Sequence, residues 1–145
     1  MSEPSTPLWH TLVEEKVYLS LRTGPIGAET MHQIDDEVCA MMDASSGPQV
    51  HVIFDMRTIP SIPSLSEFGS MKYPNHPRAG YSITIGAFQN PLMRFLVTMA
   101  TNITRSKSKE VSTLKEGFLY LAEKDPSLPP IETWTLPPGT TSVAS

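Results

Sequence analysis

The sequence predicts a single-domain layered α/β fold with the element order ββαβαβαβα. Several short segments alternate apolar and polar residues, which is typical of β-strands. Between them, apolar residues recur at the i, i+3, i+4 spacing of amphipathic helices. Strands that alternate with helices are joined by right-handed crossovers. We therefore expect a mixed, mostly parallel sheet with an antiparallel N-terminal hairpin at its margin.

The hairpin is predicted within residues 8–22, where two alternating runs flank the short turn 14–16. Trp9, Thr11 and Val13 are expected on one side of the first strand. A helix over 28–45 follows, with an apolar stripe that begins at Met31, and Ser-Ser-Gly-Pro ends it.

The rest of the chain alternates strands and helices up to residue 124. The expected strands are a fully buried one at 49–56, one at 81–88, and a brief edge strand at 109–111; the expected helices are 64–73, 91–105 and 112–125. Residues 1–7 are expected to be a flexible N-terminus, 8–124 the α/β domain, and 125–145 a proline-rich extended tail that at most drapes over the body.

Composition narrows the class of protein. A chain of 145 residues that is 39% hydrophobic suits one domain with a real core. The polar opening MSEPSTP does not resemble a secretory signal, and no window approaches a membrane span. The single cysteine, Cys39, forms no internal disulfide. We expect a cytoplasmic protein.

The formal net charge of −4 conceals an asymmetry between an acidic N-terminal part and a basic centre. Nucleic-acid binding usually combines basic residues with aromatic ones. The basic cluster Arg105, Lys107 and Lys109 has no aromatic neighbour in the sequence. We therefore interpret it as a solvated turn and expect no nucleic-acid partner.

A candidate binding rim lies where the parallel strands end. Ligands of open α/β sheets gather beyond the carboxyl ends of the strands. Helices that start there, near Ser64, Asn90 and Ser112, present free amides that suit an anion. Arg57 would add a positive charge, and Ser61 lies in the same connection. The sequence thus predicts a ligand- or partner-binding rim of Arg57, Ser61, Ser64, Asn90 and Ser112.

The serines also have a structural interpretation. Ser64 and Glu67 form an S-x-x-E capping box, in which the serine hydroxyl accepts from the amide of residue 67. Such a cap stabilises a helix by about 1 kcal/mol and requires no other function. This interpretation is favoured for Ser64.

The element order and the segment VIFDMRTIPSIPSLSEF, residues 52–68, resemble the STAS domain, and in particular the small bacterial SpoIIAA-like anti-sigma factor antagonists. In that family a strand ends in aspartate and a later Asp-Ser-Ser-Gly motif opens the next helix. Asp55 matches the strand-end aspartate, and Ser64 falls on the first serine. The resemblance covers residues 8–124 and implies a STAS-like fold that acts through protein partners.

The motif itself is degenerate. Pro63 stands where the family has aspartate, Leu65 replaces the serine that is phosphorylated in anti-sigma antagonists, and Ser66 replaces the glycine. Ser64 remains the candidate phosphoacceptor. Some SpoIIAA-like proteins are also similar in shape to the CRAL-TRIO lipid-binding fold, which implies an apolar ligand or a membrane surface as another role.

Patterns that indicate catalysis or metal binding are sparse. His32, Asp35, Asp36 and Cys39 share one helical stripe, but histidine and cysteine two turns apart, about 10 Å, are too distant to activate a nucleophile. Two ligands do not make a zinc site. His51 is interpreted as a core or interface histidine, and no carboxylate lies near His76 in the sequence. We predict no catalytic residues, metal or cofactor.

The sequence therefore favours a non-enzymatic binding or regulatory module that acts by protein–protein interaction. One alternative is a carrier of an apolar or amphiphilic small molecule between helices 28–45 and 91–105; a second is a small hydrolase-like enzyme that uses the rim. Helix 92–105 is apolar over most of its girth, which predicts a homodimer through that helix.

Overall fold

A computed structural model of the protein describes residues 8–23, 26–57, 70–86 and 107–137. They contain a five-stranded sheet in sequential order, made of β1 (Trp9–Val13), β2 (Val17–Ser20), β3 (Val50–Asp55), β4 (Ala79–Ile85) and β5 (Lys107–Val111). β1 pairs with β2 antiparallel, and every later pair is parallel. The described helices are α1 (Ala28–Ala44) and α2 (Leu114–Lys124). The predicted α/β fold with an antiparallel marginal strand is confirmed.

The hairpin turn contains no glycine, and Glu15 adopts the left-handed conformation there, with φ of 62°. Other contacts hold it there. The Ser45 hydroxyl donates to the Glu15 carbonyl over 2.9 Å, and the Ser46 amide donates to the Glu15 carboxylate over 3.0 Å. The turn is thereby fastened to the end of α1, which offsets the cost of a positive φ at a residue with a side chain.

One sequence expectation for β1 is wrong. The alternation placed Trp9, Thr11 and Val13 on one side, yet the buried residue of this strand is Leu12. The register of β1 against β2 shifts between Thr11 and Val13. Such a bulge changes the face to which the following side chains point, which simple alternation does not anticipate.

Each face of the sheet has its own hydrophobic layer. On one face α1 buries Met31, Ile34, Val38 and Met42 against Val50 and Val52 of β3. On the other face α2 buries Leu114, Phe118 and Leu121 against Ile53, Ile83 and Ile85. β3 is the central strand and is buried on both faces over most of its length, as its apolar sequence indicates.

The chain beyond α2 packs against the same layer. Leu128 and Trp134 are buried there, and the Trp134 ring lies 4.7 Å from that of Phe118, centroid to centroid. The Thr135 amide donates to the Leu12 carbonyl over 3.1 Å. Residues 125–137, which include a 3-10 turn at Ile131–Thr133, therefore drape over α2 and the hairpin.

The helix expected at 91–105 lies outside the described residues, and of that at 64–73 only residues 70–73 are described. There, Tyr73 opens a 3-10 turn, Tyr73–Asn75. The edge strand is longer than expected, because it begins at Lys107. Within the described ranges, no helix has the length and apolar character needed to cross a membrane.

Candidate functional site

The carboxyl rim is defined here as the residues that follow the ends of the parallel strands. Arg22 follows β2, Asp55 ends β3 and Arg57 follows it, Gly86 follows β4, and Ser112 follows β5. Parallel pairing from β2 to β5 brings these ends to one edge of the sheet. Of the sequence-predicted site residues, Arg57 and Ser112 are described, and Ser61, Ser64 and Asn90 lie outside the described residues.

Arg57 is held by the strand-end aspartate. Its Nε donates to Asp55 Oδ1 over 2.9 Å and its Nη2 donates to Oδ2 over 2.8 Å, a bidentate pair. The Arg57 backbone amide also donates to Oδ1, at 3.1 Å. The hydrogen bonds that Arg57 donates to Asp55 raise the pKa of the guanidinium. The charge predicted at this position is present, but an anion would share it with Asp55.

Gly86 allows this pair to form. Its φ of +79° is in the left-handed region, and a Cβ built on it would lie 2.3 Å from Arg57 Cγ. The ladder is still intact here, since the Met56 amide donates to the Ile85 carbonyl and the Gly86 amide to the Val111 carbonyl. The guanidinium stem thus lies directly on the glycine backbone, and an alanine at position 86 would displace it.

Ser112 lies at the start of α2 but is not its cap. Thr113 is the cap, and its hydroxyl accepts from the Glu116 amide over 3.2 Å. Ser112 is exposed beside it.

A second polar group on this edge lies on the α1 face. Glu37 Oε1 accepts from Arg22 Nη2 over 2.8 Å and from Trp9 Nε1 over 2.9 Å. Arg22 is 9% exposed, and its Nη1 is buried with no hydrogen-bond partner among the described residues. The ring of Trp9 also meets that of Phe54 edge to face, with centroids 6.0 Å apart.

The ionisable residues that share one stripe of α1 have different roles. Asp35 is 2% exposed and accepts the backbone amides of Lys72 and Tyr73 at 2.8–2.9 Å. Asp36 is exposed and pairs with the Lys72 ammonium at 3.0 Å. Burial raises the pKa of Cys39, so its thiol is not activated. The described residues contain no group of three potential metal ligands.

A buried histidine–aspartate pair occupies the opposite edge of the sheet, where β3 begins. The Tyr81 amide donates to His51 Nδ1 over 2.9 Å, so Nε2 carries the proton and donates to Asp125 Oδ2 over 2.8 Å. The register between β3 and β4 shifts beside Gly80, where a Cβ would lie 2.4 Å from the ring. His51 therefore supplies the acceptor that the shifted ladder lacks for Tyr81.

The surroundings set the charge of this pair. Burial lowers the pKa of His51 and outweighs the opposing hydrogen bond to Asp125; the charge of Lys107 lowers it further. Partial burial opposes ionisation of Asp125, but hydrogen bonds from Ser127 and His51 hold its pKa below the ordinary value. A neutral ring thus faces a carboxylate in a closed structural contact. Sequence reasoning missed the partner, which lies 74 residues away.

His76 also has a partner that the sequence hid. Its Nε2 donates to Asp43 Oδ1 over 2.7 Å, and its Nδ1 accepts from the Arg78 amide over 3.0 Å. The expectation of no nearby carboxylate held only along the sequence, because Asp43 comes from the last turn of α1.

The interpretation of the basic cluster needs correction. Lys107 and Lys109 lie on β5, not in a turn, and both have aromatic neighbours. Lys107 Nζ lies 5.5 Å from the centroid of the Tyr81 ring and Lys109 Nζ 5.7 Å from that of Tyr120. Lys124 Nζ lies 5.5 Å from the Tyr120 centroid. These five residues are called the lysine–tyrosine cluster below.

Comparison with known proteins identifies the fold. Scans of known protein-family models and of curated proteins found no match. The search of solved structures found the crystal structure of an uncharacterised DUF3478-family protein from Shewanella loihica PV-4, described as having a SpoIIAA-like fold. The TM-score is 0.51 at 13% identity, over 82% of this chain and 99% of that one.

The chain has a SpoIIAA-like fold. The resemblance to SpoIIAA-like proteins, predicted from the sequence, is confirmed at the level of the fold. Within the SpoIIAA-like fold, Asp55 occupies the end of β3, as the resemblance implies, and forms the bidentate pair with Arg57.

Proposed function

We propose that this protein is a non-enzymatic binding module that docks a protein partner on its carboxyl rim. Arg57 and Ser112 are the described members of the docking surface, and Ser61, Ser64 and Asn90 are assigned to it by sequence. The module acts in the cytoplasm as a homodimer formed through helix 92–105. Ser64 serves as a helix cap, with phosphorylation as a secondary role.

The Asp55–Arg57 pair is the single observation that carries this proposal. Its side chains are about a third exposed, 28% and 33%, three hydrogen bonds join Arg57 to Asp55, and the Arg57 stem lies against the Gly86 backbone. The donors and acceptors of such a pair are already in position before a partner arrives. Binding therefore loses little side-chain conformational entropy. Such charges on a rim favour orientation and partner selection over raw affinity.

The interior ionisable groups support binding rather than chemistry. Asp35 fastens the Tyr73 turn to α1, and Asp125 fastens the C-terminal segment to His51. Each uses its hydrogen-bonding capacity to join distant parts of the chain. A catalytic acid or base would need to face substrate, whereas these groups are nine-tenths or more buried.

Partner capture with matched variants tests the proposal. Immobilised wild type, Arg57→Ala and Lys72→Ala are exposed to extract of the native cell, and retained proteins are identified by mass spectrometry. Lys72→Ala is the control because Lys72 is also an exposed, ion-paired cation, but it pairs with Asp36 of α1. Binding of each identified protein is then repeated with purified material by calorimetry.

The expected result is a stoichiometric partner that binds wild type and Lys72→Ala but binds Arg57→Ala at least tenfold more weakly. Identical binding to all three proteins would contradict a role for the rim.

One observation favours the carrier as a second candidate. The buried Arg22 guanidinium, whose Nη1 has no partner among the described residues, shares Glu37 with the Trp9 indole, and the Trp9 ring packs on that of Phe54. This chemistry suits an amphiphile with an anionic end. Native mass spectrometry of freshly purified protein would reveal such a ligand as an added mass that Arg22→Ala loses, and a clean apo spectrum would count against it.

A further inference from the structure

The lysine–tyrosine cluster is a cationic surface assembled from separate parts of the chain. Lys107 and Lys109 come from β5, Lys124 from the last turn of α2, and Tyr81 from the start of β4. The Tyr81 and Tyr120 rings meet edge to face, with centroids 5.7 Å apart. The rings are half-buried on the α2 layer, so they form a fixed base, and the three lysine side chains are exposed around it.

Within the described ranges, no carboxylate lies at ion-pair distance from Lys107, Lys109 or Lys124. The acids nearest in sequence are Glu110, half-buried beside Lys109, and the exposed Glu123 and buried Asp125, which flank Lys124. The acidic face of α1 lies across the sheet, beyond the other hydrophobic layer. The field of three ammonium groups therefore extends into solvent on the α2 side.

Protection of an edge strand explains only part of the cluster. Lysines on a terminal strand discourage pairing with other chains, and β5 is the terminal strand of the described sheet. That role needs no contribution from α2 and no aromatic contact. Lys124 nevertheless converges on the same ring as Lys109.

We propose that the lysine–tyrosine cluster docks an acidic, extended segment of a protein partner. This inference rests on the proposed function as a protein-binding module and adds a second surface to it, away from the carboxyl rim. The Lys107 and Lys109 ammonium groups form ion pairs with alternate acidic side chains of the segment. Lys124 contacts a third acidic side chain, and the tyrosine rings lie beneath the lysine ammonium groups.

The spacing of the lysines fits an extended peptide. Residues 107 and 109 alternate along β5, so their side chains leave the same face about 6.7 Å apart. Acidic residues at alternate positions of an extended segment have the same repeat. A segment that lies along β5 therefore brings one carboxylate to each lysine.

Single-stranded nucleic acid fits less well. Proteins that bind it stack bases on open aromatic faces. Here lysines lie over both tyrosine rings, and the rings meet each other edge to face. The chain as a whole is negative, at −4, which disfavours a long polyanion more than a short acidic segment.

Fluorescence anisotropy with a defined peptide tests the inference. The probe is a labelled ten-residue peptide with glutamate at alternate positions, and its matched control has glutamine at those positions. Binding is measured to wild type, to the double variant Lys107→Gln/Lys109→Gln, and to Lys115→Gln, an exposed α2 lysine outside the cluster. Circular dichroism and thermal unfolding establish that each variant is folded, which is expected because the replaced side chains are exposed.

The glutamate peptide should bind wild type and Lys115→Gln within twofold of each other, and the double variant at least tenfold more weakly. Binding to wild type should weaken from 50 to about 300 mM salt, because exposed charges are screened. Equal binding of the glutamine peptide, or unchanged affinity of the double variant, would overturn the inference. The same proteins are also tested with a 20-nucleotide oligothymidine. If it binds wild type more tightly than the glutamate peptide does, and the double variant no longer binds it, the cluster is assigned to nucleic acid instead.

Arg57→Ala separates this inference from the proposed function. The variant should bind the glutamate peptide as wild type does, because Arg57 lies at the other end of β3 and β4. If rim-dependent capture persists while the peptide does not bind, only the cluster inference fails. If the peptide binds while capture is independent of Arg57, only the rim function fails.

Discussion

At the scale of residues, the polar groups that matter are those that are buried and satisfied by a distant partner. His51 is fully buried, yet both ring nitrogens have partners, the Tyr81 amide and Asp125. A buried donor that loses its partner costs far more than an exposed one, because water cannot replace the contact. The same residue types on the surface should therefore matter much less.

Asp125→Ala tests this difference. The substitution leaves the buried His51 Nε2–H without an acceptor, so we expect a loss of about 1–3 kcal/mol in the free energy of unfolding. The control is Asp43→Ala, since Asp43 also pairs with a histidine, His76, but its side chain is 73% exposed. That variant should lose less than about 1 kcal/mol. Urea denaturation measures both, and equal losses would contradict a special role for the buried pair.

Neighbouring aspartates on α1 provide a second comparison. Asp35→Ala removes a buried carboxylate that accepts the amides of Lys72 and Tyr73, and hydrogen bonds to charged groups contribute about 1.5–3 kcal/mol each. We expect a clear drop in unfolding free energy. Asp36→Ala removes an exposed ion pair with the Lys72 ammonium and should leave stability unchanged. A similar drop in both variants would show that helix propensity, not the buried contact, is responsible.

At the scale of elements, the C-terminal segment acts as part of the α2 layer rather than as an appendage. Trp134 is 4% exposed and packs on Phe118, and its indole N–H donates to the Pro129 carbonyl over 2.9 Å. Proline-rich composition suggested an extended tail and did not reveal that one tryptophan within it fills the core.

Trp134→Ala should therefore cause a large loss in the free energy of unfolding. Truncation of a buried tryptophan costs about 3–5 kcal/mol, and the cavity would lie directly on Phe118. Leu119→Ala is the matched control, because Leu119 lies on α2 but is 48% exposed; it should change stability by less than about 0.5 kcal/mol. Chemical denaturation monitored by far-UV circular dichroism compares them. A loss below 1 kcal/mol for Trp134→Ala would contradict the packing of this segment.

At the scale of the whole molecule, stability should fall on mild acidification. Burial lowers the pKa of His51 in the folded state, so the unfolded chain takes up a proton first. The associated stability is present above the ordinary pKa of about 6.5 and is lost as the pH falls from there through the folded-state value. Asp125 acts in the same direction below its ordinary value of 3.8.

The measurement is the free energy of unfolding at pH 7.5 and at pH 5.5, for wild type and for His51→Gln. Wild type should lose stability between these values, and the variant, which has no ring to protonate, should lose less. A pH dependence identical in the two proteins would contradict the assignment to His51.

The sequence predicts the layers of this fold because its signals are local. A short apolar run marks β3, and helical spacing marks α1. Contacts between elements carry no local signal. Neither the partner of His51 nor the rings beside Lys107 and Lys109 could be read from the sequence, because each contact joins residues brought together only by the sheet order. A register shift also hid the burial of Leu12.

The candidate site divides in the same way. The strand pattern predicts that Asp55 and Arg57 lie at the end of β3. It does not predict the contact of Arg57 with Gly86, because Gly86 follows the neighbouring strand.

The central claim, that the carboxyl rim docks a protein partner, is tested most directly by amide hydrogen exchange on the free protein and on its complex with the purified partner. The account predicts slower exchange on binding at residues 55–57, 86 and 112, and no such change in Arg57→Ala under the same conditions. Protection confined to other surfaces, with the rim exchanging as in the free protein, would contradict it.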